Sequence, residues 1–118
     1  MHPEFSMACV VGLGYIGLPT AALVASRGLK VTGVDIDPMV VATVGEGRVH
    51  IAEADLDGLV QKCVRSGRLV ARRQPERADV FLIAVPTPLS DNRRPVVDHV
   101  YAAARSIAPA HTVTIRDP

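Results

Sequence analysis

Val10-Val11-Gly12-Leu13-Gly14-Tyr15-Ile16-Gly17-Leu18-Pro19 is the stretch from which the rest of the chain is read. A short apolar run, Ala8 to Val11, leads into three glycines spaced G-x-G-x-x-G. Leu18, Ala21, Ala22 and Ala25 then fall on one helical face. The pattern predicts a buried strand, a glycine turn and the start of a helix. Where such a turn meets a dinucleotide, each glycine has its own task. Gly12 permits the tight turn out of the strand, Gly14 lets bare backbone approach a pyrophosphate, and Gly17 brings the helix close to the sheet. The diphosphate would face unpaired helix N–H groups and the positive end of the helix dipole. Pro19 lies in the first helical turn, where its missing N–H costs nothing. Glycine turns also serve purely structural ends, so the flanking sequence has to support the dinucleotide reading.

It does so at the next strand. Val31 to Val34 ends in Asp35, about 20 residues past the glycines, where a dinucleotide site wants an acid. A carboxylate there accepts hydrogen bonds from both ribose hydroxyls of the adenosine half and repels a 2′-phosphate. Asp37 adds a second negative charge, and positions 36 and 37 carry no arginine, so NAD is expected over NADP. The bland alternative is that Asp35 caps a turn. Further on, Pro86-Thr87-Pro88 closes the apolar run Val80 to Val85. In open α/β sheets ligands bind at the carboxyl ends of strands, so Thr87 is a candidate cofactor contact; a rigid strand exit is the alternative.

In order, residues 1–6 read as a loose tail, and Met7 could be the first residue of the fold. Strands are expected over Met7–Val11, Lys30–Val34, Leu69–Ala71 and Asp79–Val85, with a further one possible over His111–Ile115. Helices are expected from about Ile16 to Arg27 and closed by Gly28, from Asp37-Pro38 to Val44, from about Asp55 to Arg65, and over Val97–Ala108. Val49 to Ala54 reads as a loop. The run ending at Val85 is continuous, as for a parallel strand covered on both faces. Strands alternating with helices argue an α/β fold, a Rossmann-type doubly wound parallel sheet. Residues 7–118 are expected to form a single domain at most.

Composition narrows the functions. The formal charge of +1 gives no general attraction to nucleic acid or membrane surfaces. Arg65, Arg68, Arg72, Arg73 and Arg77, and the pair Arg93-Arg94, have no interleaved aromatics and read as solvated faces. No apolar run reaches transmembrane length, and the N-terminus lacks the pattern of a signal peptide. Cys9 and Cys63 have no metal or redox spacing and read as core thiols of a reducing compartment. Metal ligands do not cluster. His2, His50, His99 and His111 have no matched nucleophile, and His50 near Glu53 reads as a solvated loop histidine. No catalytic residue is assigned.

Together VVGLGYIGLPTAA at Val10 to Ala22, VTGVDID at Val31 to Asp37, HIAEADL at His50 to Leu56, FLIAVPTPL at Phe81 to Leu89 and ARSIAP at Ala104 to Pro109 resemble the N-terminal domain of the UDP-glucose/GDP-mannose dehydrogenases. The details look most like the UDP-N-acetyl-D-mannosamine dehydrogenase branch. The resemblance implies a cytoplasmic bacterial enzyme that oxidises the C6 alcohol of a UDP-sugar to a carboxylate. It does so in two NAD-dependent steps through a cysteine thiohemiacetal and thioester. It implies NAD contacts at Gly12, Gly14, Tyr15, Ile16, Gly17, Asp35 and Thr87, all of which this sequence keeps. It also implies a helical linker, a catalytic cysteine and lysine and a sugar-nucleotide domain that have no counterpart here, and neither Cys9 nor Cys63 lies in the catalytic-cysteine motif. The expectation is a C-terminally truncated NAD-binding domain, inactive alone, with a homodimer as its candidate assembly. Its alternative is a non-catalytic NAD- or nucleotide-binding module; a flavin or S-adenosylmethionine site fits Pro86-Thr87-Pro88 poorly.

Overall fold

A computed structural model of the chain describes residues 6–85. Their order is β1 (Met7–Val11), α1 (Gly17–Ser26), β2 (Lys30–Val34), α2 (Pro38–Gly45), α3 (Leu56–Arg65), β3 (Leu69–Arg72) and β4 (Val80–Ile83). The strands form one parallel sheet in the order β3-β2-β1-β4. The first three strands step outward in one direction, and the chain then returns past β1 to add β4. That reversal makes the β1/β4 boundary a topological switch point, where a crevice opens at the carboxyl edge. The α/β, Rossmann-type reading therefore holds. The expected helix over 97–108, the possible strand over 111–115 and residues 1–5 lie outside the described residues.

Each element follows from local chemistry. Residues Leu18, Ala21, Ala22 and Ala25 are all buried, so α1 lies on the sheet through small side chains that permit close approach. Asp37 accepts a hydrogen bond from the Met39 N–H at 2.9 Å, and Pro38 opens α2 at a position where no N–H is needed. In α3, Leu56, Val60 and Cys63 are buried together, with Leu59 packed beside them. The main core joins these helices to Val10, Leu13, Val31 and Leu69. Each fully buried leucine or valine there contributes about 1.5–3 kcal/mol. A smaller cluster, Cys9, Val11, Val34, Ala78, Phe81 and Ile83, lies on the opposite face of the sheet.

Several local bounds differ from expectation. The last strand is shorter than the run Asp79 to Val85, and Val80 and Leu82 are only half-buried while Phe81 and Ile83 are buried. Among the described strands β4 lies last, beside β1. β3 runs one residue further, to Arg72, because Val34 of β2 pairs with it. Ser6, read as tail, is tied down: its carbonyl accepts the Lys30 N–H at 3.0 Å, and its N–H donates to Asp79 Oδ2 at 2.9 Å. The helix expected from about Asp55 starts at Leu56, and Asp55 enters it in the left-handed region at φ 63°, which aspartate tolerates better than most residues.

Candidate nucleotide site

The register brings Val11, Val34, Arg72 and Ile83 to one edge of the sheet. The glycine turn, Asp35 and the exit from β4 consequently meet there. Gly12 leaves β1 at φ +100°, and its N–H donates to the Val34 carbonyl at 2.7 Å. A Cβ at this position would stand 2.6 Å from the Ala84 carbonyl oxygen, so the conformation and the neighbouring backbone both demand glycine. Ala84 in turn donates to the Val11 carbonyl at 2.7 Å. A Cβ on Gly17 would lie 1.6 Å from the Gly12 carbonyl oxygen. The expectation that Gly17 serves close packing thus takes a specific form: the first helical residue stacks on the turn itself, not only on the sheet.

Gly14 differs from both. A Cβ built there meets nothing within 4 Å, so this residue faces open space. The N–H groups of Gly14, Tyr15 and Ile16 find no acceptor among the described residues. No side chain caps α1, and no acid stands in its first turn. By contrast, α2 carries its own anionic cap. Uncapped amide donors beside open space at a helix N-terminus are suited to an external anion. Tyr15 and Ile16 are exposed at this mouth.

Asp35 is partly buried at the end of β2. Its Oδ2 accepts the Leu13 N–H and its Oδ1 accepts the Asp37 N–H, both at 3.0 Å. The turn-capping alternative raised by the sequence is therefore real. It does not displace the ribose reading, because a carboxylate offers about four lone-pair positions and these two bonds use two. The donor set fits NAD on these counts: open backbone amides for the diphosphate and a carboxylate with acceptor capacity for the ribose. Thr87 lies outside the described residues.

Linear reading missed several neighbours. Ile36 is 86% exposed and Met39 72% exposed, both next to Asp35, an apolar pair in water where burial would be expected. Leu13, an unspecified position in the glycine pattern, is wholly buried. Gly33 lies against it, with a virtual Cβ 2.9 Å from Leu13 Cδ2. Arg72, outside positions 36 and 37, reaches the same edge, where its carbonyl accepts the Asp35 N–H at 3.2 Å. Its guanidinium is engaged by Glu76 at 3.4 Å and by the Ala71 carbonyl. The other arginines of the 65–77 stretch are exposed, as expected of a solvated face.

The candidate chemistry elsewhere is sparse. His50 and Glu53 are both exposed and share no hydrogen bond. No group of three metal-ligating side chains occurs among the described residues, and no helix there is long and apolar enough to cross a membrane. Cys9 and Cys63 are free and buried. Burial pushes the Cys9 thiol up to about 11 and raises Cys63 as well.

Residues 6–114 match the model of the UDP-glucose/GDP-mannose dehydrogenase family, NAD binding domain. The chain is 56% identical over 106 residues to an NDP-N-acetyl-D-galactosaminuronic acid dehydrogenase of Ralstonia nicotianae, covering 90% of this chain and 25% of that protein. It is 51% identical over 106 residues to the UDP-N-acetyl-D-mannosamine dehydrogenase of Campylobacter jejuni, covering 89% and 26%. The native structure of a UDP-N-acetyl-mannosamine dehydrogenase from Staphylococcus aureus superimposes with a TM-score of 0.90 at 38% identity, over 95% of this chain and 29% of that one. The chain thus spans about a quarter of the length of the curated relatives it matches.

Proposed function

The chain belongs to the UDP-glucose/GDP-mannose dehydrogenase family and carries its NAD-binding domain, and on that premise we propose that it supplies the cofactor site of a nucleotide-sugar 6-dehydrogenase. The substrate class we propose is a UDP-N-acetylhexosamine, with UDP-N-acetylmannosamine first. Support for the sugar comes from the names of the relatives, of which several are UDP-N-acetyl-D-mannosamine dehydrogenases at about half identity. The reaction class is oxidation of a C6 alcohol to a carboxylate in the cytoplasm.

The observation that carries the reading is the pairing of an uncapped α1 with the open face of Gly14, one residue past the Leu13 N–H that donates to Asp35. When bound, NAD supplies the hydride acceptor. The chain's own residues bind and orient it. Backbone N–H groups at Gly14, Tyr15 and Ile16 donate to the diphosphate, with the helix dipole reinforcing them. Asp35 accepts from the ribose hydroxyls through its remaining lone pairs. Ile36 and Met39 offer an apolar platform to a flat base, which would recover part of the cost of their exposure. Thr87 is assigned a further contact to the cofactor by resemblance.

Calorimetry on the 118-residue chain tests the assignment. NAD should bind more tightly than NADP, because Asp35 repels a 2′-phosphate. Asp35→Ala should weaken NAD about tenfold or more, the scale of one hydrogen bond to a charged group, and narrow the gap between the two cofactors. A parent protein that holds NADP as tightly as NAD would sink the role given to Asp35.

A further inference from the structure

The contacts between the glycine turn and β2 point to a residue that selects the nucleotide without touching it. Leu13 is fully buried in the main core, yet it belongs to the turn. Its side chain lies over Gly33, where an added Cβ would stand 2.9 Å from Cδ2 and 3.2 Å from Cδ1. Its backbone N–H donates to Asp35 Oδ2 at 3.0 Å. One residue therefore has its side chain seated by Gly33 and its amide holding the carboxylate two positions further along the chain, just past the end of β2. The second anchor of that carboxylate, the Asp37 N–H, belongs to the loop leaving the strand and does not depend on Leu13.

We propose that Gly33 is a positioning residue for cofactor selection: by leaving room for Leu13, it sets the height at which the turn presents its N–H to Asp35. A methyl group at 33 meets the outer end of the Leu13 side chain, which is wholly buried and can turn only into packed neighbours, so part of the displacement passes to its backbone. The displaced Leu13 carries its amide with it. The Oδ2 anchor lengthens, and the carboxylate gains freedom to turn about its other anchor. The ribose hydroxyls and a 2′-phosphate are then discriminated less sharply. This inference rests on the role given to Asp35 under Proposed function.

The test compares dissociation constants for NAD and NADP, together with thermal unfolding, in the full chain and three variants. In Gly33→Ala, the preference for NAD should fall by about tenfold, as for one charge-assisted hydrogen bond weakened. Leu13→Val combined with Gly33→Ala removes the two atoms nearest the new methyl group and should restore most of the preference. A role confined to packing would lower the unfolding temperature and leave the NAD to NADP ratio unchanged; that outcome in a folded Gly33→Ala overturns the inference. If Gly33→Ala does not fold, Leu13→Ala carries the test. It keeps every backbone donor but removes the seated side chain, so an unaltered ratio there also overturns it. Failure of the underlying reading has a different signature, a parent with no preference for NAD. An Asp35→Ala that loses the preference while Gly33→Ala keeps it leaves that reading standing and removes this inference alone.

Discussion

The three glycines of the turn are chemically identical, and their surroundings give them opposite tolerances. Gly17 has no room at all, since a Cβ would lie 1.6 Å from the Gly12 carbonyl oxygen, which is backbone and cannot rotate away. Gly14 has open space and an unstrained φ. Gly14→Val should therefore fold with an unfolding temperature near that of the parent, while NAD binding falls below detection because the branched side chain occupies the path of the diphosphate. Gly17→Ala should lose folding itself, seen as loss of the cooperative thermal transition, since α1 cannot start where it does without moving the turn. A Gly14→Val protein that binds NAD normally would place the phosphates elsewhere.

At the level of elements, the two helices on the nucleotide edge are started by different means. α2 begins on a self-contained signal, Asp37 accepting from Met39 and Pro38 at the first position. α1 begins without any side-chain cap. Removing the α2 cap in Asp37→Ala should cost about 1 kcal/mol, the usual value for a lost N-cap. For a chain of this size that lowers the unfolding temperature by about 4 °C. The same loss is expected with and without saturating NAD, because the Asp37 side chain stabilises a helix rather than the cofactor. A much larger loss in the presence of NAD would assign the Asp37 carboxylate to the cofactor as well.

For the whole molecule, the question is whether a nucleotide site implies turnover. The family resemblance implies a cysteine that traps the aldehyde as a thiohemiacetal. The chain contains two cysteines, and the fold buries both. Burial raises both thiols, Cys9 to about 11. The thiolate is the nucleophile, so at neutral pH neither supplies it. The purified chain should bind NAD yet yield no steady NADH with UDP-N-acetylmannosamine. Iodoacetamide should leave both thiols unmodified at pH 7.5 until urea unfolds the protein. NADH production that is abolished by Asp35→Ala would reveal catalytic groups other than these cysteines.

Local chemistry alone determined the order and type of the described elements, though not every bound. Apolar runs, the spacing of small residues along α1, the Asp37-Pro38 start and the G-x-G-x-x-G turn are legible because each depends on neighbours within a few positions. The family, too, is written in motifs that survive without coordinates. Tertiary structure decided what those motifs touch. Parallel pairing of β1 with both β2 and β4 sets Gly12 against Ala84 and Leu13 against Gly33, contacts between residues 20 to 72 positions apart. It also gave Asp35 the Leu13 N–H as a partner and brought Arg72 beside it, which no reading of positions 36 and 37 could supply. Periodicity records which face of an element is apolar. It does not record which strand lies next to which, and at the edge of a parallel sheet that adjacency makes the site.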